Sequence, residues 1–157
     1  MLVLNPGATT ETQQKMMQYL GALMGMSFRS GILLDLNISR FTWKQIVGEE
    51  LSKDDLKMID DHFVRQVDEI AECAKTLSDT EFAEKFKDYT MSIMQTNGDV
   101  VDLVPKGRTI TLTKEKAESY CHKAVTYRLE ESKLQINSLI QGIKETFDRN
   151  FLRIISW

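Results

Sequence analysis

The chain has 157 residues, 42% of them hydrophobic and 27% charged, with a formal net charge of −3. That is enough chain and enough apolar material for a domain with a real core, or one large piece of a domain. The slight acidic excess gives no reason to expect nucleic acid as a partner. Two cysteines, Cys73 and Cys121, are too few and too far apart for a disulfide framework, so a reducing, cytoplasmic or nuclear setting is the expectation.

Met1 to Leu4 is a short apolar run closed by the turn signal Asn5-Pro6-Gly7, with no basic, signal-like opening. Thr9 or Thr10 can cap a helix in which Met16, Leu20, Leu23 and Met24 recur at helical spacing. Gly21 and Gly25 sit four apart inside it. Each glycine costs a helix interior about 1 kcal/mol, so the pair predicts another element passing close to this backbone. The rival, a membrane dimer face, needs a longer and less polar helix, and no membrane span is expected. Gly31 ends the helix, and Ile32 to Leu36 reads as a buried connector. Ser39 caps a short helix carrying Phe41, Trp43, Ile46 and Val47, which stops at Gly48.

From Ser52 the composition changes. Residues 52–88 hold 11 acidic and 6 basic side chains, a net −5, which leaves +2 for the rest. Ser52 starts a short helix. A longer one follows, with Phe63, Val67, Ile70, Ala71 and Ala74 on one stripe. Ser78-Asp79-Thr80-Glu81 is a capping box before Phe82 and Phe86. Residues 89–94 alternate, Asn97-Gly98 predicts a hairpin turn, and Val100 to Val104 returns. A third alternating run, Thr109 to Thr113, suggests a three-stranded element. Thr113 then caps a helix with Ala117, Tyr120, Ala124 and Tyr127. A last helix carries Ile136, Leu139, Ile140, Ile143 and Phe147. The fold class expected is α+β, mainly helical, with one small hairpin or three-stranded element.

The chemistry-bearing motifs are sparse. There is no phosphate loop, no CxxC and no HExxH, so neither a cofactor nor a metal is expected. Cys121 and His122 are neighbours on a helix, about 100° apart, and cannot readily act on one atom. Paired carboxylates such as Asp60-Asp61 and Asp68-Glu69 sit among lysines at helix starts and surfaces, where solvation and the helix dipole account for them. Surface recognition remains. Phe63 and Val67 share one helix face, and Tyr120 and Ala124 have the same i, i+4 spacing on another. Partly exposed, these faces would form an apolar groove with an acidic rim; buried, they are ordinary core. Periodicity alone favours core.

A resemblance shifts that weighting. YLGALMGMSFRSGILLDLNISRFTWKQIVGEEL (residues 19–51) resembles the middle of the N-lobe of HECT-type ubiquitin ligases. DDLKMIDD (54–61) looks like the next block of that family, VVDLVPKGRTITLTKEKAESYCHKAVTYRL (100–129) is similar to a later one, and SLIQGIKETF (138–147) to the last. Four blocks in order cover nearly the whole chain, with a tilt toward HERC-like members. The resemblance implies a division into residues 1–51 of the large subdomain, a small subdomain 52–104, and a return to the large subdomain over 105–157. It implies docking of a ubiquitin-conjugating enzyme on the small subdomain, transfer of ubiquitin to a C-lobe cysteine, and onward transfer to a substrate lysine. By position, Phe63 and Val67 match groove residues and Tyr120 a groove aromatic. Ala124 stands where some members carry a second aromatic, and Tyr89 contributes from the first strand. Neither cysteine matches the catalytic motif, so the chain reads as a fragment that is not catalytic by itself. Substrates would be held by regions outside it, and the fragment is expected to form a homodimer through its apolar ends. The competing reading is a non-enzymatic helical interaction scaffold. Phe63, Val67 and Tyr120 discriminate the two: exposed and convergent they support docking, buried in the main core they support the scaffold.

Overall fold

The computed structural model describes residues 3–32 and 34–148. It is mainly helical, with one small antiparallel sheet, and its packing separates two compact units. The first takes the described residues up to Leu51 and from Glu131 onward; the second is Ser52–Glu130.

The first unit is built on α1 (Glu11–Ser30), α2 (Arg40–Val47) and a late helix, Lys133–Thr146, labelled α7 below by chain order. Thr10 caps α1 with a full capping box, its hydroxyl accepting from the Gln13 amide and the Gln13 side chain reaching back to the Thr10 amide. Gly31 ends the helix at φ 70°, donating its amide to the Ser27 carbonyl. Ser39 caps α2 through the Thr42 amide at 3.0 Å.

Contacts between α1 and α7 rise together along both helices. The Gln14 side chain bonds the Ser138 hydroxyl, Gln18 meets Gln141 at 2.9 Å, and the Thr146 hydroxyl donates to the Ala22 carbonyl at 3.1 Å. The two helices therefore run parallel, which requires a long connection between them. The intervening chain holds α2 and the whole of the second unit. The expected close approach at Gly21 is present and is reciprocal: a Cβ on Gly21 would lie 2.0 Å from the Leu139 carbonyl oxygen, and one on Gly142 1.8 Å from that of Gln18. Met24, Ile46, Val47, Ile136, Leu139, Ile140 and Ile143 form the core of this unit.

Two sequence expectations differ here. Met16 is exposed, because α7 follows the line Gln14–Gln18–Gly21–Gly25 rather than the methionine stripe. The connector after Gly31 is not buried: Ile32 and Leu34 are exposed. Leu34, Leu36 and Ile38 instead border an apolar cavity of about 590 Å³ against Met24, Phe28 and Trp43. Dimer contacts were expected at the apolar ends Met1–Leu4 and Phe151–Trp157; of these, Met1, Leu2 and Phe151–Trp157 lie outside the described residues, while Val3 is exposed and Leu4 packs half-buried against the core of the first unit.

The second unit runs α3 (Lys53–Lys57), α4 (Asp61–Thr76), α5 (Asp79–Lys85), β1 (Ser92–Met94), β2 (Val100–Asp102), a 3-10 turn at Gly107–Thr109, and α6 (Lys114–Glu130). Asp60 caps α4 by accepting the Phe63 amide at 3.1 Å. Ser78 and Glu81 make the predicted capping box of α5; hydrogen bonds from the Ser78 hydroxyl and amide hold the Glu81 carboxyl below its ordinary pKa. β1 and β2 pair with Ile93 opposite Val101. The third alternating run does not become a strand. Thr111 makes one isolated bridge to Thr90, because the chain first tightens into the Gly107–Thr109 turn and then enters α6. That turn needs its glycine, since a Cβ on Gly107 would stand 2.1 Å from the Met91 carbonyl oxygen. α4 and α6 are the principal packed pair, with Val64, Ile70, Ala117 and Ala124 buried. The unit therefore continues to Glu130, past the division at residue 104 implied by the resemblance.

Candidate functional site

Within Ser52–Glu130, a cleft of about 540 Å³ opens between the start of α4, the strand β1 and α6. Its walls include Phe63, Gln66, Tyr89, Ile93, Tyr120 and Arg128. The Asp60 cap places Phe63 in the first turn of α4. Tyr89 is set by two backbone bonds, its carbonyl accepting the Leu112 amide at 2.9 Å and its amide donating to the Phe86 carbonyl at 2.9 Å in the turn that follows α5. Its ring stands edge-on to Phe86 at 5.3 Å. Tyr120 reaches the site from the middle of α6.

Both phenols are held. The Gln66 side-chain amide donates to the Tyr89 hydroxyl at 2.6 Å, and the Tyr120 hydroxyl lies 3.5 Å from the Ser92 carbonyl. Burial pushes Tyr120 up to about 12, with smaller contributions from Tyr89 and Cys121, so it is a neutral hydroxyl at any physiological pH. The cleft presents aromatic faces and hydrogen-bonding groups, with the Arg128 guanidinium and the carboxylates of Asp60 and Asp88 in its lining.

Of the five residues singled out from the sequence, Phe63, Tyr89 and Tyr120 converge on this cleft, while Val67 and Ala124 do not line it. Phe63 is 7% exposed, Val67 3%, Tyr120 6% and Ala124 0%; Tyr89 is half-buried. Phe63, Val67, Tyr120 and Ala124 are therefore buried rather than exposed, which is the side of the alternative expected for a scaffold, while Phe63 and Tyr120 also line the cleft. The residues belong to the core of their own unit, and three of them form its cleft-facing side. Val67 and Ala124 lie beneath, where α4 and α6 touch, with the Cys121 thiol 3.5 Å from the Val67 carbonyl. Burial raises the Cys121 thiol above its ordinary pKa.

Sequence reasoning missed Arg128. Its guanidinium lies 4.4 Å from the centre of the Phe63 ring. It donates to the Thr96 hydroxyl at 2.8 Å and the Met94 carbonyl at 3.0 Å, and its Nε is 3.7 Å from an Asp60 carboxylate oxygen. The signal was available: Arg128 continues the i, i+4 series of Tyr120 and Ala124.

The family model of the HECT domain, a ubiquitin transferase, matches residues 1–157. The chain belongs to the HECT-domain family. Human E3 ubiquitin-protein ligase HERC2 is 28% identical over 143 residues, which cover 90% of this chain and 3% of HERC2. The ligase ptr1 of Schizosaccharomyces pombe is 28% identical over 144 residues, 88% of this chain and 4% of its own length. Human ubiquitin-protein ligase E3B is 23% identical over 152 residues, 93% of this chain and 14% of that protein. The chain thus spans a small part of each of these HECT relatives.

Proposed function

We propose that the Ser52–Glu130 unit docks a ubiquitin-conjugating enzyme through the Phe63–Tyr89–Tyr120 cleft, as part of a HECT-type ligase. In that setting ubiquitin passes to a cysteine outside this chain and then to a substrate lysine. The observation that carries the reading is the convergence of three aromatic side chains from α4, β1's leading edge and α6 on one cleft. The net −5 over residues 52–88 supports it, since an acidic border favours a partner with a basic docking helix. A truncated aromatic anchor typically costs about 2 kcal/mol or more, roughly 30-fold in affinity. Calorimetric titration of this chain with a panel of conjugating enzymes should therefore show saturable binding that Phe63→Ala and Tyr120→Ala each weaken by about that factor. Tyr89→Ala, at a half-buried position, provides the same readout with less risk to the fold. Unchanged affinity in all three variants would remove the cleft from the interface.

The burial of Phe63, Val67, Tyr120 and Ala124 favours the second reading, a non-enzymatic helical interaction scaffold. Absence of binding across the whole panel, with the fold intact, would support it.

The transfer chemistry on this proposal lies elsewhere. Cys121 is half-buried with a raised thiol pKa, and Cys73 receives a hydrogen bond from Lys85 at 3.2 Å on the outer side of α4. Incubation with charged conjugating enzyme should yield no reducible ubiquitin adduct on this chain. An adduct on either cysteine, seen by non-reducing electrophoresis and lost in the cysteine variant, would overturn that expectation.

A further inference from the structure

We propose that Arg128 is a latch across the docking cleft, covering Phe63 in the resting state and setting how readily a partner is admitted. The inference rests on the docking reading above and concerns the regulation of that same site.

Arg128 joins the start of α4, the end of β1 and the turn after it from its place on α6. It rises from α6 and lies with its guanidinium over Phe63 on α4. It holds the strand end through the Met94 carbonyl and the following turn through the Thr96 hydroxyl. Its Nε also faces the carboxylate of Asp60, the residue that caps α4. Only 10% of the arginine side chain is exposed, although arginine is rarely buried without partners. It therefore spans the two lips of the cleft and occupies the face of the aromatic ring that an entering apolar side chain would need. Phe63 owes part of its low exposure to this cover.

The hold is reversible in kind. The contacts that hold the guanidinium, to the Phe63 ring, the Met94 carbonyl, the Thr96 hydroxyl and the Asp60 carboxylate among them, are all non-covalent, so each can be exchanged for water or for a partner's groups. The neighbouring tie between the Gln95 side chain and the Tyr127 hydroxyl joins the same turn to α6 and leaves the strand attached when Arg128 swings away. Two states follow: closed, with the guanidinium over Phe63, and open, with the ring available. A partner that binds only the open state sees its affinity reduced by the fraction of molecules that are open.

A latch and a structural strut predict opposite signs. If Arg128 is a latch, Arg128→Ala lowers the melting temperature yet tightens binding of a conjugating enzyme by about 3- to 10-fold, because the open fraction rises. Asp60→Asn keeps the α4 cap, since Asn and Asp cap equally well, but weakens the ionic side of the hold. It should tighten binding in the same direction and by less. A partner-free readout separates this claim from the docking claim. Relaxation of the Phe63 ring protons by a soluble paramagnetic probe should increase in Arg128→Ala. If the ring is no more accessible, or if Arg128→Ala binds more weakly than the parent chain, Arg128 is a strut and the latch is overturned. If the ring becomes accessible but neither form binds any conjugating enzyme, the latch holds and the docking reading fails.

Discussion

Gly142→Ala should destabilise the first unit by about 3 kcal/mol, even though alanine is the better helix former by about 1 kcal/mol. The sign is set by tertiary contact. A Cβ at residue 142 would lie 1.8 Å from the Gln18 carbonyl oxygen, 2.7 Å from its carbon and 2.9 Å from the Ala22 nitrogen. These are backbone atoms of α1, so no rotamer change relieves the clash and the helices must separate. Separation would loosen Leu139 and Ile143 against Met24 and Ile46, all buried in one cluster. The same argument holds in reverse for Gly21→Ala, whose Cβ would meet the Leu139 carbonyl oxygen at 2.0 Å. Chemical denaturation of the two single variants and the double variant checks this. The two sites share one helix contact, so their losses should not simply add. A gain in stability from either single alanine would show that α1 and α7 are not in backbone contact in solution.

Phe82→Ala should cost about 3–5 kcal/mol, and the loss should fall on the Ser52–Glu130 unit. Phe82 is fully buried on α5 and packs its ring 4.7 Å from that of Phe86. Phe86 in turn supports Tyr89 edge-on, so the cavity left by Phe82 lies one ring removed from the cleft wall. The expected pattern is a large drop in the protection of α4 and α6 amides from hydrogen exchange, with α1 and α7 protected as before. Weaker binding of a conjugating enzyme should accompany it, through Tyr89 rather than through loss of a direct contact. Protection lost evenly from all four helices would instead mean that the two units unfold together.

Much of the local structure was legible. Thr10, Ser39, Ser52 and Ser78 each cap the helix expected of them, because a cap is a hydrogen bond between residues three apart and needs nothing distant. Gly31 and Gly48 end their helices in the left-handed region for the same local reason. The Asn97-Gly98 turn sets the pairing of β1 with β2. The mainly helical α+β class followed from these elements, and the order of four motif blocks led to the HECT family. The glycine pair in α1 even announced a close neighbour, though not which helix it would be.

The site was legible in its types and not in its exposure. Periodicity placed Phe63 with Val67 and Tyr120 with Ala124, but a helix face carries no record of whether a second helix lies on it. In the folded unit α4 and α6 lie against each other, which turns Val67 and Ala124 inward and leaves Phe63 and Tyr120 at the edge of that contact. Arg128 went unnoticed because a charged residue on a polar helix ordinarily reads as solvated. Its role depends on Asp60, Phe63, Met94 and Thr96, which lie at least 32 residues away in the chain. The failed third strand has the same origin, since Thr109 to Thr113 alternates correctly but the preceding turn leaves room for only one bridge.

By itself, then, the sequence determined where helices start and stop, where the hairpin turns, and which family the chain belongs to. All of these depend on interactions within a few residues or on the order of motifs. Tertiary structure alone decided that α1 and α7 run parallel at backbone contact, that the unit beginning at Ser52 extends through α6, and that three aromatics and one arginine share a cleft. Those outcomes depend on side chains far apart in sequence competing for the same space, and close packing lets only one arrangement satisfy them together.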